Sequence, residues 1–358
     1  MLLIGALQTT ADGQHASELD RRNFDMIARV AVVVPVLDDW DSFSNLLEDL
    51  SLKLTGSDAE FHIVAIDDGS SQPFDVDRIT LQAGNCIADV EIVHLALNLG
   101  HQRAIAVGLA QVAVREDIDA VVVMDSDCED RPEDIAPLLA ESRSHAGHVV
   151  LAHRAKRSET RTFRVGYLAY KALFRALTGR SISFGNFSLL PMAAVRRIVH
   201  MPELWNNLPA AIMRSRLNYT TIPTVRGRRY AGQSKMNYVA LAVHGLSAMS
   251  TYTDTIFVRV LVAAGLVALA LFAGIFVATL LRFTTDLAIP GWTTVVVSAL
   301  VTLLMQTMIL VVATALMILA GRSSRPMLPI VDCHVFVASR ERRVFRRITE
   351  QVRTGIPA

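Results

Sequence analysis

Two runs near the C-terminal end constrain this chain most. Val260 to Leu281 carries no charged residue, and neither does Thr293 to Ala320, whose most polar member is Gln306. A helix of about 20 apolar residues crosses a hydrocarbon core, and both runs are long enough. Two helices buried in a soluble domain are the alternative, but such length without charge argues against it. Ser298, Thr302, Gln306 and Thr307 are expected to face the partner helix, where polar groups find partners. The flanks set an orientation. Arg259 precedes the first run, and Arg322, Arg325, Arg340, Arg342, Arg343, Arg346 and Arg347 follow the second. The turn between them, with Pro290-Gly291-Trp292, holds only Arg282 against Asp286. The positive-inside rule then puts both termini in the cytoplasm, in a multi-pass cell-membrane protein with two helices. A mean hydropathy of +0.37 agrees with membrane segments. The net charge of +1 gives no general attraction to nucleic acid.

Cys86, Cys128 and Cys333 are odd in number and scattered. They form neither a disulfide framework nor a zinc spacing, which fits a reducing compartment. Met1 to Leu7 is apolar but short and lacks a basic start, so it is a poor signal peptide. Residues 1–28 read as a flexible tail, and residues 236–256 as an interfacial amphipathic segment or, equally, a core helix. Residues 257–320 hold the two spans, and residues 321–358 form a basic cytoplasmic tail.

Residues 30–154 alternate apolar strands with helical patterns. Strands are expected at Val30–Val36, Phe61–Asp67, Glu91–Leu95, Val121–Asp125 and Val149–Ala152, with helices near 41–54 and 102–114. Such alternation implies an α/β domain with a doubly wound, mostly parallel sheet. No Gly-x-Gly-x-x-Gly follows the first strand, so a dinucleotide loop is not indicated.

Polar residues gather where these strands end, which is where open α/β sheets bind ligands. Asp38 and Asp39 follow the first, Asp67-Asp68-Gly69-Ser70 the second, and Asn98-Leu99-Gly100-His101-Gln102 the third. The fourth runs Val-Val-Val-Met straight into Asp125-Ser126-Asp127. An Asp-x-Asp is often only a turn or helix cap. If the chain stays extended, however, its carboxylates share a side, and Mg²⁺ is typically held by one or two carboxylates plus substrate phosphates. Cys128 beside them reads as a small buried side chain rather than a nucleophile. Further on, Arg226-Gly-Arg228-Arg229 through Lys235 and Arg154-Ala-Lys156-Arg157 are rich in phosphate donors. Phosphate binding is favoured for Arg229 and Lys235, and lipid-headgroup contact for most of the rest.

These motifs together resemble glycosyltransferase family 2, the inverting GT-A fold. The likeness is nearest to membrane-anchored polyprenyl-phosphate glycosyltransferases such as dolichol-phosphate mannose synthases and bactoprenol glucosyltransferases. The markers are Pro35 with Asp38 and Asp39, Asp67 to Ser70, Asn98 to Gln102 with Ala104 and Gly108, and Asp125 to Asp127 with Glu129 and Pro132. Gly185-Asn186-Phe187, Arg229 to Lys235 and the two-helix hairpin complete the set. The resemblance implies a GT-A domain over residues 29–235. It implies donor contacts from Pro35, Asp38, Asp39, Asp67, Asp68, Ser70, Asn98, Gly100, His101 and Asp125. It also implies Mg²⁺ or Mn²⁺ held by Asp125, Asp127 and Glu129, with phosphates met by Arg154, Arg229, Ser234 and Lys235. Asp127, Asn186 and Arg229 fall at its catalytic positions.

Three positions depart from that pattern. Leu37-Asp38-Asp39 stands where the family has Tyr-Asn-Glu, so no aromatic stacks on the base from there. Glu129 replaces a frequent glutamine, and Asn186 replaces an aspartate proposed as a base or acceptor-positioning group. An amide cannot act as a general base. A lipid phosphate needs none, because its second pKa lies near 6; a sugar hydroxyl would, and Asp127 or Glu159 would then have to supply it. The expected activity is transfer of a sugar from a nucleoside diphosphate to a polyprenyl phosphate at the cytoplasmic membrane face, among membrane lipid. A homo-oligomer is compatible with a hairpin anchor. Rival readings are transfer to another membrane or glycan acceptor, a processive glycan synthase (no Gln-x-x-Arg-Trp is present), a nucleotide-sugar sensor, and a structural membrane protein.

Overall fold

The computed structural model describes residues 27–79, 81, 85–154, 171–180, 184–227, 229–230, 245–285, 289, 291–323 and 325–345. The chain divides into two compact units, one of residues 1–159, 182–251 and 327–358, the other of residues 160–181 and 252–326.

The first unit is built on β1 (Arg29–Val36), α1 (Trp40–Lys53), β2 (Glu60–Asp67), β3 (Ile87–Leu95), α2 (His101–Ala113) and β4 (Ala120–Val123). It continues through α3 (Ile135–Ser144), β5 (Val149–Arg154), β6 (Ser188–Pro191), α4 (Met192–Ile198), α5 (Leu208–Arg214) and β7 (Tyr219–Thr224). The eight-stranded sheet has the order β7-β5-β6-β4-β1-β2-β3-β8, where β8 is Val337–Val344. Strands β4, β1, β2 and β3 are parallel neighbours. Consecutive residues of β1 enter opposite cores. Val30, Val32, Val34 and Val36 pack with Phe43, Leu46, Leu47 and Leu50 of α1. Ala31 and Val33 pack with Ala104, Ile105 and Val107 of α2. Helices on both faces explain why β1 is a continuous apolar run. Gly108 lets α2 lie close, since a Cβ there would sit 2.5 Å from Val33 Cγ1.

β3 starts at Ile87, four residues before the expected Glu91, the end of β4 and the C-terminal segment also differ from expectation, and β6 and β7 had not been expected. β4 stops at Val123, so Asp125 to Asp127 leaves the sheet as a turn rather than as pleated strand. β6 is four residues long and antiparallel to β4 and β5. β7 carries Pro223 at the far edge of the sheet, where a missing N–H is tolerated. Residues 337–344, expected as basic tail, form β8 antiparallel to β3. β8 is held there because Arg342 donates to Asp89 of β3 at 2.6 Å, and Asp89 is buried beside His62 at 2.8 Å.

The second unit contains α6 (Thr253–Thr284) and α7 (Trp292–Ser323). Both helices are long and apolar enough to cross a membrane. They pack together, Gly274 lying where a Cβ would come 3.3 Å from Leu300. The hydroxyls of Ser298, Thr302 and Thr307 donate back to carbonyls of their own helix at 2.8–3.0 Å. Their polarity is therefore satisfied locally, not across the hairpin as expected, and Gln306 is exposed.

Candidate active site

Parallel strands leave the C-terminal ends of β1, β2, β3 and β4 on one edge, and the polar clusters follow there. The loops after β1 and β2 are tied together. Asp38, at φ 48, donates its N–H to Ser70 Oγ at 2.9 Å, and its carboxylate accepts from the Ser71 N–H and hydroxyl at 2.7 and 2.8 Å. Asp67 is buried, accepts from the Ser70 N–H at 2.8 Å and meets His94 Nδ1 at 2.8 Å. Asp68 clamps the next loop, accepting from the Leu99 and Gly100 N–H groups at 2.7 and 2.9 Å. Burial pushes its pKa up, and those two backbone donors only partly offset it. Gly69 is obligatory here: its φ is +78° and a Cβ would lie 2.8 Å from the Asn98 nitrogen. Pro35 is buried inside β1, just beyond the last residue that pairs with β4. The side chain of Asn98 is exposed.

A second cluster joins His101, Asp125 and Asn186. Leu208 donates its N–H to Gln102 Oε1 at 2.9 Å, which fixes the Gln102 amide. Gln102 Nε2 then donates to Asn186 Oδ1 at 3.0 Å, so Asn186 Nδ2 faces His101 Nε2, also at 3.0 Å. The same His101 nitrogen lies 3.3 Å from Asp125 Oδ1. It accepts from Asn186 when the ring is neutral and donates to Asp125 when protonated. Burial disfavours the cation, but Asp125 foremost, then Asp68 and Asp130, outweighs it and raises the His101 pKa.

The third cluster is the β4 turn. Asp127 Oδ1 accepts from the Glu129 N–H at 3.0 Å, and Asp130 accepts from the Asp125 N–H at 3.1 Å. The aspartates thus do serve as turn formers. Asp127 Oδ2 also meets Arg229 at 2.5 Å. Glu129 pairs with Arg229 at 3.0 Å and with Arg226. Gly227 donates its N–H to the Glu129 carbonyl at 3.0 Å and Tyr230 donates its N–H to the Asp127 carbonyl at 3.3 Å, so Gly227 and Tyr230 lie along the turn. Tyr230 closes it with a hydrogen bond from its hydroxyl to Asp49. Against burial, the hydrogen bond to Glu129 and the charges of Asp127 and Glu129 raise the Arg229 pKa, with a smaller contribution from Asp39.

Two carboxylates two residues apart fit a hard divalent cation that takes its other ligands from phosphate and water. Burial raises the pKa of Asp127, and the nearby Asp125 and Glu129 charges add to it, so a cation there would be stabilised. Glu129, expected as a third ligand, is engaged otherwise: burial alone would raise its pKa, yet Arg226 and Arg229 hold it below the ordinary value. Among the described residues no group of three His, Cys, Asp or Glu side chains is gathered for a metal. Ser234, Lys235 and Glu159 lie outside the described residues, as does the side chain of Arg154, and residues 236–244 of the expected interfacial segment. Gln102 beyond its place in a motif, Gly227, Tyr230 and Trp40 escaped the sequence reading. Trp40 follows Asp39 directly, stacks on Phe74 at 4.8 Å and donates its indole N–H to Gln72. Adjacency to the acidic pair was the signal available for it.

The acidic turn after β4, with Arg229 against it, thus lies at the C-terminal edge of a doubly wound, mostly parallel sheet. Residues 31–200 match the model of "Glycosyl transferase family 2". An undecaprenyl-phosphate 4-deoxy-4-formamido-L-arabinose transferase of Proteus mirabilis is 29% identical over 49% of this chain and 52% of its own length. The corresponding transferase of Edwardsiella ictaluri is 27% identical over 61% of this chain and 66% of its own length. The chain thus spans about half the length of the Proteus relative. Among solved structures, glucosyl-3-phosphoglycerate synthase from Mycobacterium tuberculosis, crystallised with Mn²⁺, UDP-glucose and phosphoglyceric acid, aligns with a TM-score of 0.46 at 15% identity, covering 64% of this chain and 80% of that one.

Proposed function

We propose that this chain is an inverting, metal-dependent glycosyltransferase that moves a sugar from a nucleoside diphosphate to a polyprenyl phosphate at the cytoplasmic face of a membrane. The observation that carries the reading is the Asp125–Asp127 turn with Arg229 against it. Carboxylates suited to a cation and a guanidinium suited to phosphate lie within one hydrogen bond of each other. Asp125 and Asp127 would hold Mg²⁺ or Mn²⁺, which when bound neutralises charge on a leaving diphosphate. Asp38, Asp67 and Asp68 order the loops around the nucleoside. Arg229, with Arg154, Ser234 and Lys235, would bind phosphate oxygens. Asn186 is hydrogen-bonded to Gln102 and faces His101, and it has no basic lone pair to offer. An acceptor that arrives as an anion removes the need for one, which favours a lipid phosphate over a sugar hydroxyl. The names of the Proteus and Edwardsiella relatives, both undecaprenyl-phosphate transferases, support the same acceptor class. Helices α6 and α7 would keep the site at the lipid surface.

The test uses the full chain in lipid nanodiscs with a panel of labelled nucleotide-sugars, Mg²⁺ or Mn²⁺, and undecaprenyl or dolichyl phosphate. Product should be a sugar-phosphate lipid of inverted anomeric configuration, and Asp125→Asn with Asp127→Asn should abolish it. Turnover that survives loss of both carboxylates would remove the metal role. Donor binding without turnover on any lipid phosphate would favour a nucleotide-sugar sensor instead.

A further inference from the structure

Glu129 and Arg229 are arranged in a way that a simple metal-plus-phosphate site does not require. Arg229 spans two carboxylates, reaching Asp127 Oδ2 at 2.5 Å through one terminal nitrogen and Glu129 Oε1 at 3.0 Å through Nε. Arg226 meets the same Glu129 oxygen. The backbone fixes this pairing. Gly227 approaches so closely that a Cβ would lie 1.9 Å from the Cys128 carbonyl oxygen, and Cys128 itself adopts a φ of 66°. Two main-chain bonds, from Gly227 to Glu129 and from Tyr230 to Asp127, hold the segment along the turn. The guanidinium of Arg229 therefore occupies an oxygen that a divalent cation would use.

We propose that Arg229 is a latch that competes with the metal for Asp127, and that Glu129 is the positioning residue for the latch rather than a metal ligand. The proposal rests on the metal–diphosphate reading above. Before donor binds, Arg229 neutralises Asp127 and keeps a bare cation from settling there. A diphosphate draws the guanidinium away, because it offers more negative charge and a matching pair of oxygens. Glu129 holds Arg226 and so keeps the segment in place while Arg229 changes partner. Metal and diphosphate then enter together, and either alone binds poorly.

Calorimetric titration of the full chain in detergent tests this, using Mn²⁺ alone and Mn²⁺ with inorganic pyrophosphate as probes. Arg229→Ala should bind Mn²⁺ alone at least fivefold more tightly than wild type, yet bind Mn²⁺ with pyrophosphate at least tenfold more weakly. That opposite change is what a merely structural arginine would not produce. Glu129→Ala should leave Mn²⁺ affinity equal or raised, with Glu129→Gln between it and wild type. The pair Glu129→Ala and Arg226→Ala should be non-additive in pyrophosphate binding, since they act as one unit. An Arg229→Ala affinity for Mn²⁺ equal to or below wild type overturns the latch, while Asp127-dependent binding of Mn²⁺ with pyrophosphate leaves the site reading standing. A tenfold loss of Mn²⁺ binding in Glu129→Ala makes Glu129 a ligand and overturns its positioning role. Absence of any Mn²⁺ binding that Asp127→Asn removes overturns both proposals.

Discussion

Asn186 is the residue on which the choice of acceptor turns. Its amide receives a hydrogen bond from Gln102 and faces His101, which stands 3.3 Å from Asp125. Asn186→Asp changes charge with almost no change in shape. If the acceptor is already an anionic phosphate, a new carboxylate beside Asp125 repels it and supplies nothing. Catalytic efficiency should then fall about tenfold, or ~1.4 kcal/mol of transition-state stabilisation, mostly through a higher KM for the lipid phosphate. Steady-state kinetics with acceptor varied at saturating donor would measure this. A rise in kcat would mean that a base had been missing, and would point to a hydroxyl acceptor. The sequence singled out two residues that the structure brings together, Asp127 and Arg229. Asp127 and Arg229 stood out because a carboxylate pair at a strand end and an arginine-rich loop, found together, suit a metal and a phosphate better than they suit a plain turn and a solvated surface. Glu129's partners could not be read, because its pairing with Arg226 depends on how close Gly227 comes to Cys128. That approach is a tertiary fact, set by a loop almost a hundred residues away.

At the scale of elements, legibility followed pattern strength. β1, α1, β2 and α2 begin and end within about one residue of where the apolar alternation puts them. β6 is too short for a period, β7 alternates weakly around Pro223, and β8 is written mostly in polar and charged residues because its outer side is the edge of the sheet. What β8 lacks in apolar contact it gains from Asp89. Burial alone would raise the Asp89 pKa, but hydrogen bonds from His62 and Arg342 win and hold it below the ordinary carboxylate value. Asp117 is likewise lowered to about 2, chiefly by its hydrogen bond from Arg115. A carboxylate depressed on folding contributes stability above its unfolded pKa, near 4, and loses it as pH falls through the folded value. The sheet unit should therefore hold its stability down to about pH 4 and lose it below. Asp89→Ala should cost about 3 kcal/mol at neutral pH, since it breaks a buried pair. Asp117 is more than a third exposed, so Asp117→Ala should cost under about 1 kcal/mol. Thermal melts of both variants from pH 3 to 7 would separate them, with the wild-type advantage over Asp89→Ala shrinking only at the acid end.

For the whole molecule, the pairing of β3 with β8 carries a topological consequence. β3 precedes the two apolar helices and β8 follows them, yet they are hydrogen-bonded neighbours in one sheet from Asp89 to Leu95. A chain cannot place half a sheet on each side of a bilayer. If helices α6 and α7 cross a bilayer, they must therefore return the chain to the side from which it left, so an even number of crossings is required. That is a stronger constraint than arginine counting, which assigns the side but not the parity. Taken with the side that the flanking arginines favour, this predicts a sheet in the cytoplasm and a turn near Thr285 outside. The prediction is direct. Thr285→Cys should react with a membrane-impermeant maleimide added to intact cells, whereas Glu116→Cys should react only after lysis. Native Cys86 and Cys333 are buried and contribute little background, and a Cys128→Ser background removes the half-buried third thiol. Labelling of Glu116→Cys in intact cells would place the sheet outside, away from a cytoplasmic nucleotide-sugar supply, and labelling of both positions in intact cells would mean that α6 and α7 do not cross at all.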